Sequence, residues 1–112
     1  MTKKNALPDC CTDALSDVFQ PEFFKALCDP TRISIVATLA ASGHAATVSD
    51  IVDCCGVDFS GVSRHLKILK EAGILAAERE GRHVKYRLET TALSGTLRGM
   101  ADALDVCRVE EK

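Results

Sequence analysis

The sequence contains no tryptophan, no internal repeat and no low-complexity tract. It has no apolar run long enough to span a bilayer, which takes about 20 predominantly apolar residues. The opening segment, Met1-Thr2-Lys3-Lys4-Asn5-Ala6-Leu7-Pro8, lacks the apolar stretch of a secretory leader, so a cytoplasmic location is expected. No Ser/His/Asp or Cys/His arrangement stands out, and a chain of 112 residues leaves little room for a substrate pocket, so an enzyme is not expected. A net excess of positive charge is also missing. Fourteen Lys and Arg face sixteen Asp and Glu, for a formal charge of −2. Any nucleic-acid face must therefore be local. With 46% hydrophobic residues there is enough apolar material for one core, and the length predicts one domain.

What is present is concentrated between Val48 and Leu88. A short helix with inner face Val48, Ile51, Val52 and Cys55, a turn at Gly56-Val57-Asp58 and a longer helix from Phe59 to Ala72 form a helix-turn-helix pattern. Ser49 is the expected cap of the first helix and Asp58 of the second, and Gly73 stands where a C′ glycine belongs. Val62, Leu66 and Leu69 follow i, i+4, i+7 and should face a core, leaving Ser60, Ser63, Arg64 and Lys67 outward. Short polar and basic side chains on one helix face suit the major groove. By itself this is also the pattern of any solvated amphipathic helix. The following segment decides between the two readings. Ile74 to Arg79 reads as a strand, Glu80-Gly81-Arg82 as a tight turn and His83 to Leu88 as a second strand, with Val84, Tyr86 and Leu88 on one face. The fold class expected is mainly α with a small β-hairpin wing, a winged helix-turn-helix. Between Phe59 and Leu88 seven basic residues oppose three acidic ones, a local charge of +4, while the remainder carries −6. That asymmetry is the electrostatic footprint of a nucleic-acid face on an acidic body. The expected DNA-binding set is Ser60, Gly61, Ser63, Arg64, His65 and Lys67 from the helix, with Arg82, His83 and Lys85 from the wing.

Around this centre, residues 1–17 form a polar arm carrying Cys10-Cys11, residues 18–107 the DNA-binding and dimerisation domain, and residues 108–112 a tail. A first helix is expected over Pro21 to Cys28. Asp29-Pro30 starts a second, which carries Ile33, Ile35, Val36, Leu39 and Ala40 and ends near Ser42-Gly43. Ala45 to Val48 is expected to form a short strand beside the wing. Thr91 is the expected cap of a last helix, in which Leu93, Leu97, Met100, Leu104 and Cys107 form a heptad-like seam suited to a homodimer.

Three segments resemble the ArsR/SmtB family of metal- and metalloid-responsive repressors. They are Phe24-Lys25-Ala26-Leu27-Cys28-Asp29-Pro30-Thr31-Arg32, Val62-Ser63-Arg64-His65-Leu66-Lys67 and Glu80-Gly81-Arg82-His83-Val84-Lys85-Tyr86-Arg87-Leu88. The resemblance implies a homodimeric repressor that binds double-stranded operator DNA, an imperfect palindrome, and leaves it when an inducer binds. The family's zinc pattern on the last helix needs acidic and His ligands. Here that helix offers Asp102 and Asp105 without His. The family's common arsenic and cadmium pattern needs cysteines where this chain has Thr47 and Ser49. Cys10-Cys11 resembles a further version, in which an adjacent pair in the N-terminal arm holds the inducer.

Six cysteines in a chain expected to stay reduced ask for a reason other than disulfides. Cys10 and Cys11 lie in a polar arm where packing has no apolar partners. Two neighbouring thiolates suit a soft ion. As(III) and Sb(III) prefer three sulfurs, so a third donor is wanted from Cys54, Cys55 or Cys107. Cys54 lies toward the outer face. For Cys55 and Cys107 core or seam packing competes with ligation, and for Cys28 packing is the expected role. The leading expectation is a repressor induced by As(III) or Sb(III). The alternatives are a thiol redox switch and a mercury or cadmium sensor of the same fold.

Overall fold

A computed structural model describes residues 19–56 and 58–106 of the chain. Among these residues five helices and three strands run in the order α1 (Pro21–Leu27), α2 (Pro30–Ser42), β1 (Ala46–Thr47), α3 (Val48–Cys55), α4 (Phe59–Glu71), β2 (Leu75–Glu80), β3 (His83–Leu88) and α5 (Thr90–Val106). The winged helix-turn-helix expected from the sequence is the fold observed.

The helix starts follow local chemistry. Asp29 caps α2, its carboxylate accepting from the backbone N–H of Thr31 at 2.8 Å and of Arg32 at 3.2 Å, while Pro30 fills N1, where no donor is needed. The α1 helix stops one residue earlier than expected. Cys28 is its C-cap, exposed rather than packed, because the chain leaves the helix there to reach Asp29 in extended conformation. The cap of α3 also differs from expectation. Thr47, not Ser49, accepts from the Asp50 N–H at 3.2 Å, and the Asp50 carboxylate accepts from the Thr47 N–H at 3.1 Å. This reciprocal box places the helix start at Val48 and leaves Ser49 exposed in the first turn.

The turn between α3 and α4 needs a residue at positive φ, and Gly56 supplies it at φ +68°. From there α4 buries Val62, Leu66 and Leu69 completely, against Ile35 and Leu39 of α2, Ile51 of α3 and Phe23 and Ala26 of α1. Full burial of each such aliphatic side chain contributes about 1.5–3 kcal/mol.

The three-stranded antiparallel sheet has the order β1-β3-β2. Two residues of β1 pair with β3, Ala46 opposite Tyr86 and Thr47 opposite Lys85. The hairpin is tighter than the sequence suggests. Glu80 pairs with His83, so Gly81-Arg82 alone form the loop, with Gly81 at φ +60°. Ile74 is not the first strand residue. Its N–H donates to the Leu69 carbonyl at 3.0 Å, closing the end of α4, and the residue is buried at the helix–strand junction. On β3 Leu88 is buried and Val84 and Tyr86 are half-buried as expected, but of the outward residues only His83 and Arg87 are exposed and Lys85 is half-buried.

The last helix begins at Thr90, with the Leu93 N–H donating to the Glu89 carbonyl at 2.8 Å, so Thr91 lies inside it rather than capping it. Its apolar stripe is divided. Met100 is 6% exposed in the domain's own core, whereas Leu97 and Leu104 are 50% and 52% exposed. No helix among the described residues is long and apolar enough to cross a membrane.

Candidate nucleic-acid interface

The N-terminal half of α4 is built to stand proud of the domain. Its cap is Asp58, whose carboxylate accepts from the Gly61 N–H at 3.0 Å. The fit depends on glycine, since a Cβ at position 61 would collide with the Asp58 carboxylate oxygen. With Val62, Leu66 and Leu69 anchored below, Ser60, Ser63, Arg64 and Lys67 are all exposed. Among the described residues no ion pair engages Arg64, Lys67 or Arg82. Their charge is available to phosphates or base edges. Arg82 occupies the hairpin tip and His83 the first position after it, both exposed.

The wing strand is less basic in effect than in composition. Lys85 pairs with Glu80 at 3.3 Å, and Arg87 with Glu78 at 3.6 Å and Glu89 at 3.5 Å. Antiparallel pairing puts Glu78 directly opposite Lys85 and places these acids beside the bases on one face. The positive surface therefore centres on α4 and the hairpin tip.

His65, like Gly61 and Lys85 of the expected set, is not fully exposed. It is half-buried, and its Nδ1 lies 3.0 Å from Nη1 of Arg32. Arg32 ends the first of the family-resembling segments, with no role of its own expected there. Its guanidinium donates from Nε to the Ala26 carbonyl at 2.6 Å and from Nη2 to the Lys25 carbonyl at 3.1 Å, so one side chain ties the end of α1 and the start of α2 to α4. A signal was available in the sequence, because a cation in the first turn of a helix opposes the helix dipole and calls for a compensating partner. The Asp29 carboxyl beside it lies below its ordinary value of 3.8. Burial pushes it up, but the backbone N–H groups of Arg32 and Thr31, with His65 and Arg32 nearby, outweigh that.

Three cysteines, Cys28, Cys54 and Cys55, fall among the described residues. Cys54 is exposed on α3, and Cys55 is half-buried with its Sγ 3.8 Å from Thr38 Oγ1. Cys10, Cys11 and Cys107 lie outside the described residues. Among the described residues no group of three His, Cys, Asp or Glu side chains converges as a metal site would require.

A helix-turn-helix whose second helix is exposed, cationic and flanked by a β-hairpin defines a winged-helix DNA-binding protein. A helix-turn-helix domain model matches residues 27–77. The transcriptional repressor SdpR of Bacillus subtilis is 34% identical over 82 residues, covering 73% of this chain and 89% of that protein. The repressor SmtB of Mycobacterium tuberculosis is 48% identical over 67 residues, 60% of this chain and 48% of that one. The arsenical resistance operon repressor of Escherichia coli is 41% identical over 69 residues, 60% of this chain and 56% of that one. The chain thus spans about half the length of the last two. A homodimeric winged helix-turn-helix domain from Mycobacterium bovis superimposes with a TM-score of 0.63 at 25% identity, covering 97% of this chain and 99% of that one. The chain belongs to the ArsR/SmtB family of winged-helix transcriptional repressors. These relatives are regulators, not enzymes.

Proposed function

We propose that the protein is a homodimeric transcriptional repressor that reads a palindromic operator through α4 and the wing. The observation that carries this is the exposed cationic surface of Arg64 and Lys67 on a capped helix, without an ion pair among the described residues, beside Arg82 at the hairpin tip. Base contacts come from Ser60, Gly61, Ser63, Arg64 and Lys67. Phosphate contacts come from Arg82, His83 and, once released from Glu80, Lys85. Dimerisation uses the α5 surface that the single domain leaves open, where Leu97 and Leu104 are half exposed. A two-fold dimer sets the two reading helices about one DNA turn apart.

The inducer in this reading is As(III) or Sb(III), bound by Cys10 and Cys11 with a third thiolate from Cys54, Cys55 or Cys107. Support comes from the adjacent thiols, the exposure of Cys54 on the helix that precedes α4, and the likeness to the arsenical resistance operon repressor of Escherichia coli. An ion joining the arm to α3 or to the α5 seam favours a dimer geometry that no longer matches DNA, and shifts the equilibrium by its differential affinity for the two states. The experiment uses a duplex selected by the wild-type protein from random-sequence DNA, with the protein kept reduced. Arg64→Ala should weaken binding by about 1–3 kcal/mol. Cys10→Ser and Cys11→Ser should keep DNA binding and lose release by arsenite. Undiminished binding of the Arg64→Ala, Arg82→Ala double variant would refute the reading face. Wild-type release in both arm variants would refute the arm as sensor, and release by peroxide but not arsenite would establish a redox switch instead.

A further inference from the structure

We infer that Arg32 is the positioning residue of the DNA-reading helix, acting by holding His65 in one orientation and one tautomer. The inference rests on the proposed DNA-binding role of α4 and names a device within it. An arginine guanidinium has donors only, so the 3.0 Å contact between Nη1 and His65 Nδ1 requires Nδ1 to accept. The proton of the neutral imidazole is then on Nε2, which has no partner among the described residues. His65 stands about 100° around α4 from Arg64 and is half-buried, which leaves the spare N–H at the flank of the exposed cationic face rather than on it. It is a neutral donor of fixed direction, suited to a phosphate oxygen. Arg32 is itself immobilised, because its Nε and Nη2 are spent on the Ala26 and Lys25 carbonyls at the end of α1. Three donors of one planar group thus set the ring against α1 and α2, and the position of α4 becomes coupled to the end of α1. The dipole penalty on a cation in the first turn of α2 is offset by these contacts and by the Asp29 carboxylate beside it.

The test combines imidazole nitrogen NMR with binding to the duplex selected by the wild-type protein. In the free wild-type protein near neutral pH, His65 should be a single Nε2–H tautomer, and in Arg32→Ala the two tautomers should mix. Arg32→Ala and His65→Ala should each weaken DNA binding by about three- to tenfold, the scale of one hydrogen bond. The double variant should be no weaker than either single one. His65→Gln, which can accept from Arg32 and still donate outward, should recover part of the loss. None of these variants should change the slope of affinity against salt, because no cation leaves the DNA surface. A wild-type Nδ1–H tautomer, additive losses, or a slope in Arg32→Ala reduced by about one counter-ion would each overturn the inference. The last would make Arg32 a direct phosphate ligand. If Arg32→Ala does not fold, the wild-type tautomer and the His65→Gln against His65→Ala comparison still decide. Arg64→Ala is the control. Loss of affinity there with none in the Arg32 and His65 variants refutes the positioning device alone, whereas no loss in Arg64→Ala refutes the reading face itself.

Discussion

Gly61 gives the sharpest test of how the reading helix is built. Gly61→Ala introduces two opposed effects. Alanine in place of glycine inside a helix gains about 0.5–1 kcal/mol of stability. Here, however, the added Cβ meets the Asp58 carboxylate that caps the helix and accepts from the Gly61 N–H at 3.0 Å. Asp58 is exposed, so its side chain can swing away, and the cost is the cap, typically about 1 kcal/mol. The two terms nearly cancel, and Gly61→Ala should change stability by less than about 0.5 kcal/mol. Asp58→Ala alone should cost about 1 kcal/mol, or roughly 4–8 °C in Tm for a domain of this size. With Asp58 already replaced there is no cap to lose, and Gly61→Ala should then stabilise by about 0.5–1 kcal/mol. The assay is urea unfolding of the four proteins at one fixed protein concentration, with the coupling read from the cycle. If Gly61→Ala stabilises equally in both backgrounds, the carboxylate is not seated over Gly61 and the capping argument is wrong.

Leu97→Glu alters a half-exposed α5 position and should leave the domain folded but monomeric in sedimentation, with loss of operator binding; a dimeric variant would place the interface elsewhere. Glu80→Gln releases Lys85 from its 3.3 Å pair, so operator affinity should rise and its salt dependence steepen by about one counter-ion, and an unchanged slope would remove Lys85 from the DNA contacts. Asp29 has its carboxyl held below the ordinary value, so the folded state favours the charged form. Its contribution is present above an ordinary value of 3.8 and lost as pH falls through the lower folded value. Asp29→Asn should therefore flatten the acid limb of stability measured by denaturant unfolding, and an unchanged limb would contradict the cap.

Much of this fold was legible in the sequence because its signals are local. The Asp29-Pro30 start, the Asp58 cap and the spacing of Val62, Leu66 and Leu69 each lie within one element, and each survives in the structure. Errors fell where two local solutions compete, as between Thr47 and Ser49. The reciprocal side-chain-to-backbone box of Thr47 with Asp50 decided there, and its closure depends on where β1 releases the chain. The reading face was also legible, because apolar anchors at fixed helical spacing dictate which side chains point out. The sequence could not apportion charge and burial across elements. The pairing of Lys85 and Arg87 with acids of the neighbouring strand depends on hairpin register. Met100 belongs to the domain's core while Leu97 stays open, although both lie on one stripe, because the rest of the domain covers only part of α5. Arg32 and His65 meet across 33 residues of chain, and only the packing of α1, α2 and α4 around one core brings a helix-start arginine against the ring of a reading-helix histidine.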